Sequence, residues 1–210
     1  MTNHAISPFP GFDRIWVFRD PMISKPFRAC WDPNDDELIR FSGHNLVARP
    51  TVPLRLHHGS GGNGPSDNVI WLQDVGPPLI SGRVVLLLTE NGVTGWDSFP
   101  VVITDKFGVD HHNHHRLMIT GTCGPLDWKR GPMYERTEEY PRGKYYLGGW
   151  FDPDSWDGSD AFLGAASGGY KLVTERFRNL MMRNKIRNLR FTRFSEFEMP
   201  EIVLNNGPQR

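Results

Sequence analysis

The sequence predicts an α+β fold: a strand-rich N-terminal part with two short helix-to-strand units after it. Three observations carry this. Glycine and proline make up 39 of 210 residues, about 19% against a usual value near 12%, which favours turns and short strands over a helical bundle. Seven Trp and 13 Phe supply ample core material and separate the chain from disordered sequences. Two segments, starting at Gly82 and Glu175, carry apolar residues at helical spacing and are each followed by a strand pattern.

In chain order, prolines 8, 10, 21, 26 and 33 punctuate the opening, and residues 14–18 between them read as a short buried strand. Residues 37–47 read as a strand pair turning near Gly43. The glycine-rich stretch 57–65 reads as a surface loop. It is the best boundary in the first half, dividing a strand- and loop-rich part (1–65) from an α+β region (66–210), the two being compatible with one domain. Residues 69–72 are a short apolar run. Ser81 is placed to cap a helix over 82–91 with Val84, Val85, Leu87 and Leu88 repeating along it, and Asn91-Gly92 ends it, since both tolerate a left-handed conformation. Residues 93–103 read as a strand broken at Pro100, and 107–120 as a hairpin or extended strand ended by Gly121 and Gly124-Pro125. Residues 131–169, rich in Gly, Pro, Asp and aromatics, read as ordered loops. Thr174 caps a second helix over 175–184, with Phe177, Leu180 and Met181 on one face, and Leu189 and Phe191 then alternate with polar residues as in a strand.

The two helix-to-strand units align at an offset of 93. Leu79, Arg83, Leu87 and Asn91 match Leu172, Arg176, Leu180 and Asn184, and five further positions of the 15 are conservative. The matched positions share roles: capping hydroxyl, helix stripe, C-terminal Asn, following apolar residue. A degenerate internal repeat is therefore expected, against the alternative that any capped amphipathic helix before a strand looks alike.

Lys plus Arg and Asp plus Glu are both 24, a net charge of zero, which disfavours a nucleic-acid coat or a polybasic membrane binder. No apolar stretch is long enough for a membrane span, and the N-terminus lacks the basic and apolar regions of a secretory signal. The two cysteines lie 93 residues apart without metal-type spacing, so a reduced, cytoplasmic protein is expected.

Four candidate chemistries stand out. His111, His112, His114 and His115 flank Asn113. On a regular strand His112 and His114 would share a face, a pairing that suits a small metal-dependent hydrolase, but a third ligand is needed and no H-E-x-x-H or C-x-x-C accompanies them. The simpler reading is a polar strand, with no metal or other cofactor expected. The run from Asp152 to Asp160 crowds carboxylates around Gly158 as a calcium loop does, but its spacing is one residue too long, and turn formation explains it. The stretch from Lys171 to Arg193 carries eight basic residues and one acidic one, a net +7; a nucleic-acid-binding regulator would use this charge, with Phe191 and Phe194 stacking bases. The same charges suit a solvated face. Finally, neither Cys123 nor the Ser60 loop has the setting of a catalytic nucleophile.

The second half resembles a known family. Trp156-Asp-Gly-Ser-Asp160-Ala-Phe162 is followed by Gly169-Tyr-Lys-Leu-Val-Thr-Glu-Arg-Phe177, then Leu180 and Asn184-Lys-Ile-Arg-Asn-Leu-Arg-Phe191. This is similar to the C-terminal part of a family of bacterial immunity proteins, typified by a myxobacterial member, that are encoded beside polymorphic or contact-dependent toxins. Trp156, Asp157, Asp160 and Arg176 match its pattern. The earlier segment from Leu79 to Pro100 resembles a related group with paired C-x-x-C-G motifs, which this chain lacks. The resemblance covers roughly residues 66–198. It implies a non-enzymatic protein that binds and neutralises a cognate protein toxin, and it supplies no catalytic residues. Loops on a rigid scaffold carry function, so Tyr145, Tyr146, Trp150, Asp152 and Asp154 are the expected partner contacts, the alternative being that these aromatics fill the core.

Overall fold

The computed structural model describes residues 11–23, 26–31, 53–73, 78–138, 141–165 and 169–206. The strand pair expected over 37–47 lies outside them. The fold is α+β. In order come β1 (Ile15–Arg19), β2 (Arg28–Trp31), β3 (Leu54–Ser60), β4 (Val69–Ile70), β5 (Leu79–Ser81), α1 (Gly82–Glu90), β6 (Trp96–Thr104), β7 (Asp110–Ile119) and β8 (Gly121–Cys123). Then follow β9 (Met133–Arg136), β10 (Gly143–Leu147), β11 (Ala161–Gly164), β12 (Lys171–Thr174), α2 (Glu175–Arg183), β13 (Arg190–Arg193), β14 (Glu198–Pro200) and α3 (Glu201–Asn206).

Two compact units interleave along the chain. The first holds Met1–Phe18, Gly121–Asn179 and Phe191–Arg210; the second holds Arg19–Thr120 and Leu180–Arg190. Residue 65 lies inside the second unit, because β3 before it pairs in parallel with β6 after it. That pairing also changes the reading of 57–65. His57 to Ser60 belong to β3, flanked by β2 on one side and β6 on the other, and only the residues after Ser60 are loop. The first unit has a five-stranded sheet, β13-β1-β12-β11-β8, and a three-stranded one, β14-β10-β9. The stretch 131–169 is thus not simply loops: it carries β9, β10 and β11, each of four or five residues. Phe12, Trp128, Phe151, Phe162 and Phe194 form an aromatic core there. The second unit has a six-stranded sheet, β2-β3-β6-β7-β5-β4, over a core of Leu56, Ile70, Leu79, Phe99 and Ile103. Pro100 does not break β6, which runs through it opposite His115.

The expected repeat extends into the hydrogen bonding. Each nine-residue helix starts directly after a strand, at Gly82 and at Glu175. Before each, a hairpin returns the chain: Val69 pairs with Ile80, Ala161 with Val173. The Ser81 amide donates to Asn68 O at 2.9 Å, and the Thr174 amide to Asp160 O at 2.9 Å. Buried Leu79, Ile80, Val84 and Leu88 correspond to buried Leu172, Val173, Phe177 and Met181. At the C-terminal ends, Asn91 Nδ2 donates to Leu87 O at 2.8 Å and Asn184 Nδ2 to Leu180 O at 2.9 Å. The next residue is left-handed in both copies, Gly92 at φ 57° and Lys185 at φ 53°, and the next amide, of Val93 or Ile186, reaches back to Leu88 O or Met181 O at 3.1 Å. The caps differ. Thr174 Oγ1 accepts from the Phe177 amide at 3.4 Å, whereas Ser81 makes no side-chain cap, its hydroxyl accepting instead from Asn68 Nδ2 at 3.4 Å. Asn91 stays right-handed at φ −93°, so Gly92 alone supplies the left-handed turn.

Candidate functional site

The β6–β7 hairpin ends in a turn that one carboxylate organises. Asp105 Oδ1 accepts from the amides of Phe107 at 2.8 Å and Val109 at 3.0 Å, and His111 Nε2 donates to its Oδ2 at 2.9 Å. The His111 ring, with the two amides, holds the Asp105 carboxyl below the usual carboxylate range. The Lys106 amide bonds Asn63 O at 3.4 Å, tying the turn to the glycine-rich loop after β3. Phe107 is 68% and Val109 54% exposed on this braced turn, and the Lys106 ammonium lies 5.6 Å from the Phe107 ring centre. Beside it opens a hollow of about 610 Å³ lined by Phe27, Gly64, Pro65, Ser66, Asp67 and His111. A fixed backbone presenting an apolar anchor beside a concavity is the arrangement that protein interfaces exploit, since little conformational entropy is lost on docking.

The histidine cluster is split by a β-bulge. Val101 pairs with His114 and Ile103 with His111, so His112 and Asn113 together oppose Val102. The bulge breaks the alternation that would have put His112 and His114 on one face: His112 is exposed and His114 is 6% exposed. Burial lowers the pKa of His114, outweighing the opposite pull of the Asp67 backbone, and burial lowers that of His115 as well. Among the described residues no group of three or more His, Cys, Asp or Glu is placed to hold a metal ion.

The acidic turn after Trp150 is held together by its own carboxylates. Asp152 Oδ1 accepts from the Asp154 amide at 3.1 Å. Asp157 accepts from the Ser159 amide and hydroxyl at 3.0 and 2.5 Å, and from the Thr122 amide at 2.8 Å. Asp160 accepts from Thr174 Oγ1 at 2.8 Å and Arg176 Nη1 at 2.7 Å. These bonds are those of turn and strand construction. Of the expected contacts, Tyr145 is buried, donating to Pro141 O at 2.7 Å with the Arg136 guanidinium 4.3 Å from its ring centre. Strand alternation turns it inward. Tyr146 and Trp150 are half-buried against the aromatic core, with the Arg130 guanidinium 3.8 Å from the Trp150 ring. Asp152 and Asp154 are exposed.

The basic stretch is also redistributed. Phe194 is fully buried, and Phe191 packs on Phe18 with ring centres 5.7 Å apart. Arg178 lies 4.1 Å from the Trp16 ring centre, and Arg193 pairs with Glu196 at 3.0 Å. Cys123 is buried, and burial, with the Asp157 charge, pushes its thiol pKa up to about 12, so it stays a thiol at neutral pH.

Sequence reasoning placed His111 in a cluster of interest but missed Asp105 as the residue that fixes it. The signal was present in Asp105-Lys-Phe-Gly108, an Asp at the head of a glycine turn. Among the described residues no helix is long and apolar enough to cross a membrane. Compared with known proteins, the chain matches no family model and has no significant match among curated proteins.

Proposed function

We propose that the chain is a cytoplasmic, non-enzymatic immunity protein that binds and neutralises a cognate bacterial toxin. The observation that carries this reading is the β6–β7 turn: an exposed Phe107 and Val109 on a backbone braced by Asp105 and His111. Large exposed aromatics on rigid turns serve as interface anchors. The family resemblance of residues 66–198 supplies the kind of partner, a toxin made by the same cell. Tyr146, Trp150, Asp152 and Asp154 are proposed as secondary contacts, with Tyr145 supporting them from below.

Co-expression tests this. Cells carrying the adjoining toxin gene should survive with the full chain and die with Phe107→Asp/Val109→Asp, while the purified variant keeps the wild-type melting temperature. Both side chains are exposed and Asp105 still holds the turn. Failure of the folded wild-type chain to protect overturns the reading, and undiminished protection by the variant removes the turn from the interface.

A further inference from the structure

The turn from the last residue of α2 to the first of β13 carries Arg183, Lys185, Arg187 and Arg190, all exposed, and none of the four is in an ion pair among the described residues. A fifth cation, exposed Arg83, donates from Nη2 to Asn184 O at 2.9 Å. The residues between the cations fix the backbone. Asn184 Nδ2 bonds Leu180 O, Ile186 is 6% exposed, Asn188 Nδ2 donates to Val69 O at 2.8 Å, and Asn188 O accepts from Trp71 Nε1 at 2.8 Å. Residues 184, 186 and 188 anchor the loop while 183, 185, 187 and 190 face water.

The fold does not require this charge. At the equivalent positions the first copy of the repeat has Glu90, Gly92, Thr94 and Asp97, and it closes its helix with the same hydrogen bonds. At one position the backbone disfavours it: Lys185 adopts φ 53° where the first copy uses glycine. A side chain held in the left-handed region at a cost to stability, in a loop where every outward position is basic, points to a surface retained for binding.

We propose that this loop, with Arg83, is a preorganised docking surface for a carboxylate-rich protein face, and that the toxin presents that face. This rests on the immunity reading and names the chemistry of its partner. Protein is favoured over nucleic acid because no aromatic residue stands among the cations. Trp71, whose ring nitrogen bonds the loop at Asn188 O, is buried, and the next aromatics along the chain are engaged too, Phe191 against Phe18 and Phe194 in the aromatic core, which removes the base-stacking platform that single strands use. Unpaired cations on a fixed backbone instead steer and register an acidic partner.

The test titrates labelled poly-glutamate peptide and a single-stranded oligonucleotide with the full chain, followed by fluorescence anisotropy. Poly-glutamate should bind, more weakly as salt rises, and Arg183→Gln/Lys185→Gln/Arg187→Gln/Arg190→Gln should bind it at least about tenfold more weakly. Lys185→Gly, which adopts the Gly92 geometry, should stay folded and weaken binding by a smaller factor. Absence of poly-glutamate binding at low salt, unchanged binding by the quadruple variant, or tighter binding of the oligonucleotide than of poly-glutamate overturns the proposal. A chain that protects cells yet ignores poly-glutamate sinks the surface and spares the immunity reading. A chain that binds poly-glutamate through the loop yet fails to protect supports the surface and sinks the immunity reading.

Discussion

Lys185 and Gly92 occupy one geometric position in two copies of the same helix ending, and only the glycine sits there without strain. A side-chain-bearing residue in the left-handed region costs about 1 kcal/mol. Lys185→Gly is therefore expected to stabilise the chain by about 0.5 kcal/mol, the strain relieved less the few tenths that glycine loses through the unfolded chain. Urea denaturation checks this. The midpoint should rise with an unchanged slope, and a lower midpoint would show that the Lys185 stem contributes packing that outweighs the strain. Arg116 is a second residue held against its ordinary preference. It is 1% exposed, its guanidinium lies 4.8 Å from the Trp31 ring centre, and burial lowers its pKa to about 10. It remains a cation at neutral pH inside the second unit, stabilised in part by the aromatic face.

At the scale of elements, β7 makes the second unit sensitive to acid. Burial lowers the pKa of His114, and burial lowers that of His115 as well. Below the free-imidazole pKa of about 6.5 the unfolded chain takes up protons that the folded chain refuses, so stability falls as pH drops from there towards the folded pKa. The lowered carboxyls of Asp105, Asp110 and Asp157 lose their contribution only in more acidic solution, below about pH 4. The urea midpoint should thus decline between pH 7 and pH 5, and His114→Phe should flatten the decline. An undiminished slope in that variant would assign the effect elsewhere. The bulge that buries His114 was not legible in the sequence, because Val102 opposing two residues depends on how β6 and β7 pair. The helices were legible, since Val84 and Leu88, or Phe177 and Met181, carry the 3.6-residue period locally. The strands within 131–169 were not: β10 finds its partner β14 some fifty residues on, and strands of four or five residues are too short to carry a period of their own. The basic loop was visible as charge, but only backbone angles reveal that Lys185 stands in a glycine position.

On the scale of the whole chain, the repeat explains why the N-terminus matters. In the second unit the strand after the helix, β6, lies beside β7, which lies beside β5, the strand before the helix. The first unit has the same succession, with β13 beside the equivalent of β7 and that strand beside β12. Here the middle place is taken by β1, drawn from the start of the chain and paired antiparallel with β12: Trp16 with Val173, Val17 with Leu172. β7 reaches its place through a short hairpin turn, whereas β1 closes its sheet from more than 150 residues away in sequence, so closure of the first unit carries a larger loop entropy. Val17, 2% exposed, sits in the middle of that strand. Val17→Asp buries a carboxylate in the sheet and is expected to cost more than about 4 kcal/mol. Hydrogen exchange resolves where that loss falls. Amides of β11 and β12 should lose protection first, because their unit depends on β1, while those of β5, β6 and β7 keep it, because their sheet is completed by residues close in sequence. Equal loss of protection in both sets would show that the two units unfold as one cooperative body and that β1 closes more than its own sheet.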